Sequence, residues 1–264
     1  MSCDKVRISI LADSATSDLT EDDPQVLVTG GASLLMPSIT DGNVNHAAVL
    51  QNNGLGVFDG SLLAAKDKKD ARVRATGTGG ELIFRNGAEC RVSIVAVESD
   101  TTPLTLTFDD ALWSFGDKQA LTLTRPERVT VNARNKGIAF APEAGTNLTF
   151  GLAVSGSGDL VKRGAGTLTL DAAPTLTGVC RVEVGALALG SGVTASNLTL
   201  AGAGSLTAGT FANTTLLAPL GDSGAVTGAV PVIAGATFTG RTRIDLARTT
   251  PIAGLYPKNV LVAT

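Results

Sequence analysis

A chain of 264 residues that is 44% hydrophobic is long enough to bury a substantial interior and too apolar to stay unfolded, and its net charge of −3 leaves no basic footprint for a phosphate backbone. Nucleic acid is therefore not an expected partner. Aromatic residues make up only 4% and charged residues 17%, while glycine occurs 31 times, a mixture that describes many short β-strands joined by tight turns.

The N-terminal residues MSCDKVR lack the apolar centre of a secretory signal, so the expectation is either an intracellular chain or a piece of a longer secreted protein, the second preferred. Cys3, Cys90 and Cys180 are odd in number and widely spaced, with no C-x-x-C, and are read as small apolar residues or free thiols rather than a disulfide framework or a zinc site. Residues 25–33, QVLVTGGAS, suggest the first strand and turn of a dinucleotide-binding fold, but Leu34, Leu35 and Met36 follow where further glycines would have to let a helix approach a pyrophosphate. They are read as a strand entering a turn. His46 is the only histidine, which excludes any site with two imidazoles; it neighbours a turn signal and is read as a solvated loop residue rather than a catalytic base.

Residues 36–60 and 61–72 are expected to be loops that offer the variable surface. Within the second, SLLAAKDKKD (61–70) is read as a short helix N-capped by Ser61, and the mixed-sign Lys66–Asp70 as its solvated face. The segments 79–84, 90–97, 103–108, 120–124 and 128–133 all alternate like strands. Asn-Gly and Asp-Gly pairs, the marks of two-residue hairpins, begin at Asp41, Asn53, Asp59 and Asn86, so none falls in the second half of the chain.

That second half repeats itself. Leu-x-Leu or Leu-x-Phe pairs occur at 148/150, 168/170, 187/189 and 198/200, and G-x-G-x-L occurs at Gly156–Leu160, Gly164–Leu168 and Gly202–Leu206. Side chains two residues apart in a strand share a face, so each pair buries one side. Without hairpin signals, such strands are satisfied together by a chain that coils and stacks each turn on the last, with glycine at the corners: a parallel β-solenoid. At ~4.8 Å per coil and roughly 20 residues per coil, the rod would be on the order of 50 to 60 Å long. No Pro- or Ser-rich linker interrupts it, so 1–264 is read as one domain, with divergent coils over 1–145 and regular repeats over 146–264.

The stretch Gly156-Ser-Gly-Asp-Leu160-Val-Lys162-Arg-Gly164-Ala-Gly166-Thr-Leu168-Thr-Leu170, followed by Thr177-Gly178 and Val182-Glu-Val184-Gly185-Ala-Leu187, resembles the autotransporter-associated β-strand repeat of bacterial surface passenger proteins. It departs from that pattern at Leu176, where an aromatic is expected, and at Cys180, where Thr is usual. The match spans about residues 148–210. The resemblance implies a single-stranded right-handed parallel β-helix, exported across a bacterial envelope to the cell surface or the extracellular space, in which the repeat carries no catalytic residues.

Several other features bear on chemistry. The G-x-G clusters at 156–166 precede strand periodicity rather than a helix and are read as turns, not as a phosphate loop. Lys162 is read as guarding a coil edge against aggregation. Asp109 and Asp110, with Trp113, Arg125, Arg128 and Arg134 nearby in sequence, are the candidate carboxylates of a polysaccharide hydrolase or lyase, yet neighbours in a strand face opposite ways and cannot serve one site unless the chain bends there. Asn147, Asn197 and Asn213 match glycosylation acceptors but are read as turn residues preceding strands. Thr pairs at 105/107, 122/124 and 167/169 suggest an ice- or crystal-binding ladder but lack a single coil spacing. The chain end, from Arg243 to Thr264, is strand-like without a polar cap, and is expected to belong to a longer parent.

The expectation is thus a non-enzymatic extracellular stalk or adhesin-like passenger with no catalytic, cofactor or metal residues, contacting a surface or a glycan through loops. A carbohydrate-active enzyme using Asp109 and Asp110 and a filament that self-associates through solenoid ends remain as alternatives.

Overall fold

The computed structural model of the chain describes residues 8–11, 24, 26–36, 48–65, 71–218, 231–245 and 260–261. Its strands stack in parallel, coil upon coil, as a β-solenoid. In the first coils the chain visits three sheets in turn. Sheet one holds Ile8–Leu11, Ala48–Gln51, Arg72–Ala75, Ile94–Val97 and Thr122–Thr124; sheet two runs from Val26–Val28 through Gly54–Asp59, Gly80–Arg85 and Leu104–Asp109 to Thr175–Leu176; sheet three runs from Ser33–Met36 to Arg243–Asp245. From Asn147–Phe150 onward a fourth sheet replaces sheet one, and from Thr194–Ser196 a fifth, three-stranded sheet replaces sheet two. Among the described residues, no helix is long and apolar enough to cross a membrane.

Alternation in the sequence becomes layering in space. In sheet four, Leu148, Leu168, Leu187 and Leu206 lie in register, one above the next, and all four are buried. Sheet three stacks Leu160, Cys180, Leu200, Leu216 and Ile244 in the same way. Leu200, of the Leu-Thr-Leu at 198–200, lies in the strand Thr199–Ala201, a further strand of the same coil as its shorter spacing suggested, on sheet three rather than sheet four. One continuous cluster of buried side chains runs from Ala48 to Leu216.

The wide early coils are filled by aromatics. Phe58, Phe84 and Phe108 occupy one register column of sheet two, with ring centroids 5.0 and 5.2 Å apart and nearly parallel planes. Trp113 stacks next at 5.2 Å, and Phe150 meets its edge at 5.0 Å. All of these rings are fully buried. Trp113 Nε1 donates to the Val92 carbonyl at 3.0 Å, so its polar atom is satisfied inside the core.

Corners explain the Asn and Gly content. Asn52 and Asn53 (φ 55° and 59°) turn the chain from sheet one to sheet two, and Asn86–Gly87 (φ 56° and 81°) from sheet two to sheet three. The Asn-Gly pairs at 53 and 86 therefore serve as corners between sheets and not as hairpins, because the left-handed conformation that Asn and Gly tolerate suits any sharp turn. Within the repeat, Gly164 has φ 73°, and a Cβ on Gly166 would lie 2.1 Å from the Glu143 carbonyl oxygen of the coil below. One glycine turns the chain; the other lets two coils touch.

Two expectations are corrected. Ser61–Asp70 does not begin as a helix: Leu62–Ala65 is a strand of sheet three, paired with Ser33–Met36 and Glu89–Arg91, and the neighbouring ladders override the local helix propensity of Leu and Ala. Residues 36–60 and 61–72 are not loop throughout: among the described residues, Ala48–Gln51, Gly54–Asp59 and Leu62–Ala65 are largely buried strands. At the last rung of sheet three, Val260–Leu261 pairs antiparallel with Arg243–Asp245. His46, Cys3 and Lys66–Asp70 lie outside the described residues.

Candidate functional site

Residues 26–36 form strand, turn and strand, with Gly30 and Gly31 at positive φ and Ser33–Met36 extended, so this segment has the course expected of a simple turn. The G-x-G clusters also lead into the strands Leu160–Lys162 and Thr167–Leu170. The Thr pairs fall on three different sheets, two, one and four, and form no common ladder. Asn197 and Asn213 are left-handed corner residues before strands, and Asn147 opens one.

Lys162 departs most from expectation. It guards no edge: its side chain is fully buried, between Phe140 and Val182 in the inward column of sheet three. Its Nζ donates to the carbonyls of Arg163 (2.8 Å), Gly164 (2.8 Å) and Val184 (2.9 Å), so one ammonium ties a corner to the corner of the next coil. The signal was present in the sequence, because Leu160 and Lys162 are two apart in a strand and must share a face. Burial pushes the Lys162 pKa down to about 8 from 10.5.

The two described cysteines are buried and free, each in the inward row of sheet three, and burial pushes the Cys180 thiol up to about 12 and Cys90 well above its usual value. In a Cys3→Ser background, neither thiol is expected to react with Ellman's reagent in the native protein, and both should react on unfolding. Prompt labelling without denaturant would contradict the core position.

Asp109 and Asp110 sit at the corner between sheets two and three, and the chain does bend there: Asp110 has φ 57°. Asp109 accepts from Asn135 Nδ2 at 2.6 Å and Asp110 from Lys136 Nζ at 3.0 Å, both donors belonging to the next coil. Two rungs back, Asp59 accepts from Arg85 Nε and Asn86 Nδ2, both at 2.9 Å, and the Asn86 hydrogen bond, with Arg85 adding to it, holds its carboxyl below the usual range. Carboxylates and their partners thus brace successive corners. Arg134 follows this corner, but Arg125 lies at the other end of the sheet-two strand, bonded to Asp100 at 2.6 Å, and Arg128 is exposed beside it. Trp113 is sealed in the core and is no part of an outer site.

A different place is concave. Where sheet one hands over to sheet four, the two share only the bridge Ala120–Thr149 among the described residues, and the loops 115–119 and 141–146 open a cleft of about 430 Å³ above sheet three. Its floor is built from the outward side chains of Glu89–Arg91 and Ala111–Ser114, which pair in register. Arg91 grips Glu89 with two hydrogen bonds of 2.9 Å, and Ser114 Oγ donates to Glu89 Oε1 at 2.6 Å. Asp117, Gln119 and Glu143 stand on the walls. Sequence reading missed this cleft because its floor comes from two coils and its walls from the loops that leave the second of these and the coil after it, with no local motif.

Among the described residues, no group of three or more His, Cys, Asp or Glu side chains is placed to hold a metal. Fold and corner geometry define a parallel β-solenoid. No family model matches the chain, and no curated protein or solved structure matches it either.

Proposed function

We propose that the chain is a non-enzymatic extracellular or cell-surface β-solenoid, a passenger or adhesin-like stalk that holds loops out for contact with a surface or a glycan. The observation that carries this reading is the unbroken core from Ala48 to Leu216 beneath in-register parallel ladders, a construction that makes a stiff spacer. The resemblance of residues 148–210 to the autotransporter-associated repeat supports the same assignment. The loops presented are 115–119 and 141–146.

A carbohydrate-active enzyme is the second reading, favoured by one feature: the bend at Asp110 brings Asp109 and Asp110 to one outer corner. Incubating the purified chain with a panel of acidic and neutral polysaccharides separates the two. The stalk reading expects no release of reducing ends or unsaturated products, and Asp109→Asn to cost less than about 1 kcal/mol in stability, because its partner is exposed. Turnover that Asp109→Asn or Asp110→Asn abolishes would establish the enzyme. Self-association is a third reading, resting on Val232 and Ile233, 56% and 51% exposed on the last described rung of sheet four. Light scattering that grows with concentration would support it.

A further inference from the structure

We propose that the cleft above sheet three, between loops 115–119 and 141–146, is a binding site for a short segment of an uncharged saccharide chain. This deepens the stalk reading and rests on it, since it names where contact is made and with what chemistry.

Four features converge. The cleft, at about 430 Å³, is within the ~300–1,000 Å³ typical of small-ligand sites. It arises from a break in the coil, where one sheet ends and another begins, so main-chain ladders do not fill it. Its floor is a fixed array: Arg91, Glu89 and Ser114 hold one another, which leaves acceptor lone pairs and guanidinium donors aimed outward in a geometry already set before a ligand arrives. Adjacent donors and acceptors of this kind suit neighbouring hydroxyls on a sugar ring, while Leu112 and Ala141 offer apolar surface to its C–H face.

Charge selects among saccharides. Glu89 and Arg91 offset each other, and the walls add Asp117, Glu143 and Lys118, leaving the lining with one excess negative charge. Among the described residues, Asp117 and Glu143 make no ion pair or side-chain hydrogen bond, which leaves their carboxylates to accept from hydroxyls. A uronate polymer would bring like charge against them.

Titration of the purified chain by calorimetry with neutral hexaoses (cellohexaose, mannohexaose, xylohexaose) and with hexagalacturonate tests this. At least one neutral hexaose should bind with a millimolar or tighter Kd, and at least tenfold tighter than hexagalacturonate. Ala141→Trp, which fills the cleft from an exposed position, should weaken that binding at least tenfold with an unchanged unfolding midpoint, as should Arg91→Ala; Thr130→Ala, exposed on the outer face of sheet two, should leave it unchanged. Absence of binding by every neutral hexaose, tighter binding of hexagalacturonate, or binding that Ala141→Trp leaves intact would overturn the site. The stalk reading fails separately, by turnover in the polysaccharide assay.

Discussion

Replacing Phe108 with Ala is expected to destabilise the protein by about 4 kcal/mol, lowering the midpoint of thermal unfolding by roughly 8 to 16 °C. Phe108 is fully buried between Phe84 and Trp113, with ring centroids 5.2 Å away on either side. Truncation removes the transfer free energy of a ring, leaves a cavity the fixed ladders cannot close, and breaks two stacking contacts of ~0.5 to 1.5 kcal/mol each. Phe108→Leu, which keeps most of the volume, should cost well under half as much. Urea unfolding followed by tryptophan fluorescence reports on both, since Trp113 is the chain's only tryptophan and touches the mutated ring. A loss below 1 kcal/mol for Phe108→Ala would contradict the stacked interior.

The second large effect is expected at Lys162. Lys162→Met preserves length and apolar stem but leaves the carbonyls of Arg163, Gly164 and Val184 without the ammonium donor. Each lost bond costs about 1 to 3 kcal/mol where the acceptor stays dry. Relief from burying a charge offsets part of this, so the net loss should be about 3 kcal/mol. The direction of the pKa change fixes a pH signature as well. Because the folded-state pKa lies near 8 and the unfolded one near 10.5, the folded chain binds fewer protons between those values, and stability should rise with pH across that window. The wild-type stability increment between pH 8 and 10.5 should disappear in Lys162→Met. An equal increment in both proteins would place the titrating group elsewhere.

These two sites also show what can be read from the chain alone. The solenoid was legible because Leu148, Leu168 and Leu187 repeat at nearly constant spacing with glycines at fixed offsets, and the period of two set which face each would bury. The same period of two places Lys162 on the inward face with Leu160, where the carbonyls of two neighbouring corners hold the buried ammonium. The aromatic column was harder to see. Phe58, Phe84 and Phe108 come from coils whose loops differ, and only pairing reveals that they share a register.

Ser61–Ala65 illustrates the opposite failure. Its composition suits a helix and its cap residue is correct, yet Ser61 Oγ donates to the carbonyls of Val28 and Asp59, and the strand that follows is held by ladders on both sides. Tertiary pairing decided there. The corner at Asp109 and Asp110 was anticipated as a condition, since two adjacent carboxylates could converge only if the chain bent, and the bend exists; their partners Asn135 and Lys136 were not, because they belong to another coil. The cleft at the handover from sheet one to sheet four lies furthest from the sequence, for it depends on where a regular repeat begins and an irregular one ends.

The central claim, that aliphatic side chains of successive coils pile up in parallel register, is tested most directly by methyl NOE spectroscopy on protein labelled only at leucine methyls. The account predicts cross-peaks linking Leu148 to Leu168, Leu168 to Leu187 and Leu187 to Leu206 in an unbroken series. A spectrum in which Leu168 shows no contact with either Leu148 or Leu187 would contradict it.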